Sequence, residues 1–201
     1  MKLYFAPGAC SLASHIVLCE LGLPFTLERV NLRDKTIADG RDFRTINPLG
    51  YVPALELNDG EILTEGSAIL FYLADLVPSA HLVPPAGEVS RYRLLAWLNF
   101  IGSELHKNFS PLFAKDTPAE YKAVVSERLA ARFAHVDGVL AYSPYLADDS
   151  FSIADAYLFV VSNWASVVGF DLSPFPHLLA FRERILARPA VQAAMKSEGL
   201  L

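Results

Sequence analysis

A chain of 201 residues with 53% apolar and 19% charged side chains has ample material for a core, the opposite of a disordered composition. Its net charge of −5, from 17 basic and 22 acidic residues with no Lys/Arg run, argues against nucleic acid as the main partner. The opening MKLYFAPGAC has no long apolar stretch of the kind that signal peptides carry.

Residues 2–6 (KLYFA) read as a short strand, and 11–21 as a helix stopped by Gly22 and Pro24. A second strand is predicted over 25–32, then an irregular polar stretch over 33–46 and a turn at NPLG, 47–50. YVPALEL, 51–57, reads as a strand with Pro53 near its start. NDG, 58–60, is a hairpin signal and 61–64 the return strand. EGSAILFYLADL, 65–76, reads as a helix. A βαβ unit followed by ββα predicts a parallel first pair, an added antiparallel hairpin and a small mixed sheet of the thioredoxin kind. The Pro-rich stretch 78–87 reads as a linker between an α/β domain, 1–77, and an all-helical domain, 88–201. Helices are expected near 88–113, 118–141, 153–168, 177–187 and 189–197. SIAD, 152–155, opens the third as a capping box. The apolar 153–170 reads as a helix at the centre of its domain, in preference to a membrane span.

The two cysteines, Cys10 and Cys19, flank and occupy the first predicted helix. Nine helical residues put them roughly 13 Å apart along the axis, beyond the roughly 7 Å a disulfide spans, so both read as thiols in a reducing compartment. Cys19 sits among Val17, Leu18 and Leu21 and reads as a small core residue. Cys10 stands at the helix N-terminus, where unpaired amides and the helix dipole favour a thiolate. The residue three after it is Ala13, which disfavours a dithiol cycle and leaves a single thiolate that meets an external thiol.

Two further stretches point the same way. In YVPAL, a cis Val52–Pro53 bond would turn the Val52 amide and carbonyl outward, where an extended peptide can pair with them. In LTEGSAI, the amides of a helix start can hold a carboxylate, Gly66 permits close approach, and Glu65 can pair with an ammonium. A thiolate, a backbone edge and an anion site beside a carboxylate together fit a small thiol peptide with carboxylates and an ammonium, and glutathione is such a molecule. Metal-ligand spacing is absent from the histidines, and no metal is expected.

The chain resembles the bacterial beta-class glutathione S-transferases over essentially its whole length. The resemblance lies in MKLYFAPGACSLASHIVLCE, INPLGYVPALEL, ILTEGSAILFYLADL, WLNFIGSELHKNFSPLF and FSIADAYLF, in that order. It implies a thioredoxin-like domain followed by an all-helical one, a cytoplasmic homodimer, and glutathione as co-substrate. It also implies that Cys10 faces the glutathione sulfur and can form a mixed disulfide with it. Val52 then pairs with the peptide backbone, Pro53 is cis, Glu65 and Gly66 hold the γ-glutamyl end, and Lys35 lies near the glycine carboxylate.

On the predicted helix 88–113, Asn99, Ser103 and His106 are spaced i, i+4, i+7, within about 60° of one another, a polar stripe for a ligand, solvent or a partner. The resemblance implies that Asn99, Ser103 and Glu104 come from the neighbouring subunit, and that His106 and Lys107 lie near the sulfur. Imidazole titrates near neutral pH, so His106 is expected to accept the thiol proton or to orient a water that does. Phe5, Phe109, Phe113 and Trp164 are candidates for the acceptor pocket. The resemblance departs at Leu49 and Tyr51, where members of the class often carry Lys and Gln, and that bears on the acceptor. Neither Tyr4 nor Tyr72 sits where other classes place an activating tyrosine. The expected activity is conjugation of the glutathione thiolate to electrophilic, largely apolar acceptors. Glutaredoxin-like thiol–disulfide exchange and a non-catalytic ligand-binding or regulatory role are the alternatives.

Overall fold

The computed structural model describes residues 1–147 and 149–201, which divide into two compact units. One comprises Met1–Leu82 with Ala187–Leu201, the other Val83–Leu186. The C-terminal segment, read from sequence as part of the helical domain, thus packs with the N-terminal unit.

The first unit is built on a five-stranded sheet in the order β3-β2-β1-β4-β5. Strand β1 (Lys2–Phe5) runs parallel to β2 (Thr26–Asn31) through helix α1 (Ser11–Glu20), which makes the expected βαβ unit. β4 (Ala54–Glu56) lies antiparallel to β1 and forms a hairpin with β5 (Ile62–Thr64). The hairpin turn closes with the Leu57 amide donating to the Glu61 carbonyl at 2.8 Å. The stretch expected to be irregular holds a short strand β3 (Thr36–Ile37) on β2 and a 3₁₀ turn, Phe43–Thr45. Two paired residues are too short for sequence alternation to register, so tertiary pairing decides them.

Tyr4, Ala6, Val30, Ile37, Phe43, Val52 and Ala54 form one buried cluster of this unit. Helix α1 packs against α2 (Gly66–Leu76) and α8 (Pro189–Ser197).

The second unit holds α3 (Val89–Phe100), α4 (Lys107–Phe113), α5 (Ala119–Leu140), α6 (Ile153–Val168) and α7 (Pro176–Leu186). The single helix expected over 88–113 is interrupted: Ile101–His106 is a π-helical turn joining α3 to α4. Such insertions widen the turn by one residue and rotate the side chains that follow. Helix α6 is buried along most of its length, as its apolar composition requires. Among the described residues, no helix is long and apolar enough to cross a membrane.

The capping box forms. The Asp155 carboxylate accepts from the Ser152 amide at 2.9 Å, the Ser152 hydroxyl at 2.6 Å and the Leu146 amide at 2.8 Å. Burial pushes the Asp155 carboxyl up to about 6 against the pull of those donors. Replacing Asp155 by Ala leaves three buried donors without their acceptor. The Asp155→Ala chain should lose about 3 kcal/mol of unfolding free energy. An unchanged denaturant midpoint would contradict this account.

Candidate active site

The first group of named residues surrounds the turn between β1 and α1. Cys10 occupies the N-cap position of α1, and its thiol donates to the Val52 carbonyl at 3.1 Å. The Val52–Pro53 peptide bond is cis. Among the described residues, the Val52 amide has no backbone acceptor. Pro53 also lies beside the start of α2: a Cβ on Gly66 would stand 3.8 Å from the Pro53 ring. Cys10, Val52, Pro53 and Gly66 are therefore gathered by one junction of β1, β4 and two helix N-termini. Neither cysteine is in a disulfide.

Glu65 caps α2 with φ +67° and ψ +116°, outside the left-handed well that a non-glycine residue tolerates. Such a conformation costs on the order of 1–3 kcal/mol and concentrates at ligand sites. It leaves the first amides of α2 and the exposed Glu65 side chain together at one surface. Lys35 also has positive φ, +56°. Its ammonium donates to the Gly50 carbonyl at 2.9 Å and lies 5.5 Å from the centre of the Tyr51 ring. Gly50 has φ +64°, and an added Cβ there would stand 3.1 Å from the Lys35 side chain. The Tyr51 ring is 59% exposed and Leu49 64%.

Two residues that the sequence reading passed over hold these turns in place. Buried Asn47 donates from its amide to the Tyr51 carbonyl at 2.7 Å and accepts from the Leu49 amide at 3.2 Å. Buried Glu198, just past α8, accepts from the Gly8 amide at 2.9 Å and bonds the buried His15 ring at 2.8 Å. Asn47 lies in a legible turn, but its role depends on a carbonyl four residues on. Glu198 is 190 residues from Gly8 and leaves no local signal.

The second group lies on the α3–α4 segment. Asn99, Ser103 and Lys107 are exposed, and the Ser103 hydroxyl donates to the Asn99 carbonyl at 2.9 Å. Glu104 pairs with Arg132 of α5 at 2.7 Å. His106 leaves the stripe that i, i+4, i+7 spacing predicts. The π turn carries it toward α6, where Nδ1 lies 2.6 Å from the Tyr157 hydroxyl and the ring meets Trp164 edge-on at 4.7 Å. Phe109 and Phe113 pack on the same indole.

The expectation that His106 titrates near neutral pH does not hold. Burial, reinforced by the Lys107 charge, lowers its pKa to about 4, so the ring is neutral at pH 7. Tyr4 is no activating phenol: burial and a 2.6 Å bond to Glu56 push its ionisation well above the usual range. Burial also raises the Cys19 thiol, although the side chain is only half-buried at the end of α1 and not the core residue that the sequence suggested.

Residues 8–76 match the family described as glutathione S-transferase, N-terminal domain, and 100–189 that described as glutathione S-transferase, C-terminal domain. The glutathione S-transferase GstA of Escherichia coli O157:H7 is 49% identical over 200 residues, covering 100% of both chains. A bacterial beta-class transferase of Sphingomonas chungbukensis superposes with a TM-score of 0.97 at 47% identity, 100% of each chain being covered. The chain belongs to the bacterial beta-class glutathione S-transferases. A sphingomonad transferase solved in complex with glutathione also covers 100% of both chains, at 48% identity and a TM-score of 0.96. As a beta-class glutathione S-transferase, the chain has the thioredoxin-like sheet and helical unit expected of it. Among its described residues no cluster could hold a metal ion.

The depressed His106 pKa has a consequence for this transferase on acidification. The unfolded chain takes up a proton near pH 6.5 and the folded one only near 4, so stability from this group is present above 6.5 and lost as pH falls through that window. Between pH 7 and 4.5 the wild type should lose more unfolding free energy than His106→Gln, measured by urea titration. Parallel losses in the two proteins would remove His106 from the acid response.

Proposed function

We propose that the chain catalyses attack of the glutathione sulfur on electrophilic, largely apolar acceptors. The observation that carries this reading is the Cys10 thiol at the α1 N-terminus, 3.1 Å from the Val52 carbonyl beside the cis Val52–Pro53 bond. In this reading Cys10 faces the glutathione sulfur, and Val52 pairs through its amide and carbonyl with the cysteinyl backbone, as an added strand does. Pro53 shapes that edge. The exposed Glu65 meets the γ-glutamyl ammonium and the Gly66 amide its carboxylate. Lys35 leaves the Gly50 carbonyl for the glycine carboxylate, a charge-assisted partner.

His106 and Lys107 stand near the sulfur, where the lysine charge favours thiolate and so raises the fraction of nucleophile at neutral pH. Asn99, Ser103 and Glu104 reach the glutathione of the neighbouring subunit in a homodimer. The exposure of Asn99 and Ser103, and the Arg132 partner that orders the half-buried Glu104, support such a use. The exposed Tyr51 ring over Lys35 stands where the class often has Gln, so it shapes acceptor entry beside the glutathione carboxylate. Two cysteines, neither of them in a disulfide, suit the reducing cytoplasm. The named relatives are transferases and do not favour thiol–disulfide exchange or ligand carriage as the main role.

Calorimetric titration of the reduced protein with glutathione should show one site per chain with Kd below about 1 mM. Cys10→Ala should retain part of the conjugation of chlorodinitrobenzene but lose most turnover of hydroxyethyl disulfide, since the mixed disulfide needs the thiol. Absence of glutathione binding in the wild type would sink the proposal. Full disulfide turnover in the variant would remove Cys10 from the chemistry.

A further inference from the structure

β1 and β2 are the parallel pair of the sheet, with Phe5 opposite Arg29 in register. In open sheets, ligand crevices form at the carboxyl ends of parallel strands, where the chain leaves the ladder. Here those ends border an open cavity of about 520 Å³ that lies wholly within the first unit. That volume suits a small molecule. Ala6 and Val30, both buried, join Pro7 and Leu32 as its apolar walls. Its charged lining residues are Arg29 and Arg33, both exposed.

The two guanidiniums are uncommitted. Arg41, Arg44, Arg132 and Arg188 each hold a carboxylate of the chain. Among the described residues, the Arg29 and Arg33 side chains donate no hydrogen bond and form no ion pair. The carboxylates that flank them in sequence are engaged by neutral donors. Glu28 accepts from the Ala38 amide at 3.2 Å, and Asp34 from the Asn31 side-chain amide at 2.9 Å. The Asn31 side-chain oxygen accepts in turn from the Arg33 and Asp34 amides at 3.0 and 3.3 Å, which fixes the loop that carries Arg33. A chain of net charge −5 thus keeps two free cations on one apolar cavity. Arginine stays protonated in proteins, and its planar fork matches a carboxylate.

We infer that this cavity is an acceptor subsite for apolar electrophiles that carry a carboxylate, the anion held by Arg29 and Arg33 and the apolar body lying on Pro7 and Leu32. The inference rests on the proposed role of the Cys10 turn in glutathione transfer. The sheet order sets its geometry. β1 lies between β2 and β4, so the cavity flanks one side of the β1–α1 turn and the Val52–Pro53 edge flanks the other. Pro7 and Cys10 belong to that one turn, which the Ala9 amide closes on the Ala6 carbonyl at 3.0 Å. Three residue steps span at most about 11 Å, so an acceptor of that length can keep its carboxylate on the arginines while its electrophilic carbon meets the sulfur. With an α,β-unsaturated ketone, the thiolate electron pair forms the C–S bond. The C=C pair moves onto the carbonyl as an enolate, and water supplies the proton that returns the ketone. The carboxylate takes no part in the bond changes; it only anchors the molecule.

The test compares ethacrynate, an aryl α,β-unsaturated ketone whose carboxylate is remote from the reacting carbon, with its methyl ester on the full-length protein. Wild-type kcat/KM should be roughly tenfold higher for the acid, as charge-assisted bonds allow. In the double variant Arg29→Gln, Arg33→Gln the acid-to-ester ratio should fall to about one, mostly through KM, whereas Lys at both positions should keep part of it. Raising the ionic strength to about 1 M, where the screening length is about 3 Å, should narrow the wild-type ratio. A wild type that does not prefer the acid overturns the inference, as does a preference that survives both Gln substitutions. Dihydroethacrynate, which lacks the reactive double bond, probes the cavity without glutathione. Calorimetry should show it binding the wild type and binding the double Gln variant about tenfold more weakly; equal binding, or none to the wild type, overturns the inference. Glutathione itself should bind the wild type and the double variant with the same Kd. Weaker glutathione binding in the variant would assign the arginines to glutathione and overturn the inference. Absence of glutathione binding in both proteins, with dihydroethacrynate binding intact, would sink the proposed function and leave the carboxylate site standing.

Discussion

The Glu198 carboxylate, buried just beyond the last helix, accepts from the Gly8 amide and bonds His15, and the turn bearing Cys10 is built around that contact. Gly8 has φ +70°, and a Cβ there would meet Leu200 at 3.6 Å, so the C-terminal residues pack directly over the turn. A carboxylate taken out of water is costly unless its oxygens are bonded, and here each oxygen has a partner. Ser11 adds a second tie, accepting from the Ala6 amide at 3.2 Å and donating to the Ala6 carbonyl at 3.3 Å. With both ends of the turn held, Cys10 has little freedom except to face Val52. The Cys10 thiol is thereby positioned by Ser11 beside it and by a carboxylate from the far end of the chain.

In the helical unit a comparable burden falls on α6. Its first turn is fixed by Asp155, and its buried face presents Tyr157 and Trp164 to the π turn. An unbroken α-helix through 101–106 would keep His106 near the exposed line of Asn99 and Ser103. The inserted residue of the π turn separates them instead. Asn99, Ser103 and Lys107 stay at the surface, while His106 is drawn into an aromatic setting that keeps it neutral. One local irregularity gives neighbouring polar residues different environments, and so different chemistry.

Much of the fold could be read along the chain. The strand–helix–strand start, the NDG hairpin, the capping box at Ser152 and the apolar α6 each carry a signal confined to a few residues, and all form. The candidate residues of the first unit were legible for a similar reason: Cys10 before a helix, Pro53 at a strand start, and Glu65–Gly66 at a helix start are local patterns. The misreadings have a common physical origin. β3 exists only through its partner β2, and the π turn keeps the composition of an α-helix. Ala187–Leu201 looks like one more helix of the helical domain, yet its Arg188 pairs with Glu20 at 2.6 Å and its Glu198 with His15 at 2.8 Å in the first unit.

By itself, then, the sequence determined the order and type of most elements, the thiol at a helix N-terminus and the family to which the chain belongs. These follow from periodicity, caps and turns, which act over a few residues. The tertiary structure alone decided the ionisation of His106, the bond between its ring and Tyr157, and the carboxylate under the Cys10 turn. Desolvation depends on everything packed around a group. Hydrogen bonds spanning 51 and 190 residues of chain depend on how distant segments meet, and neither leaves a local trace in the order of residues.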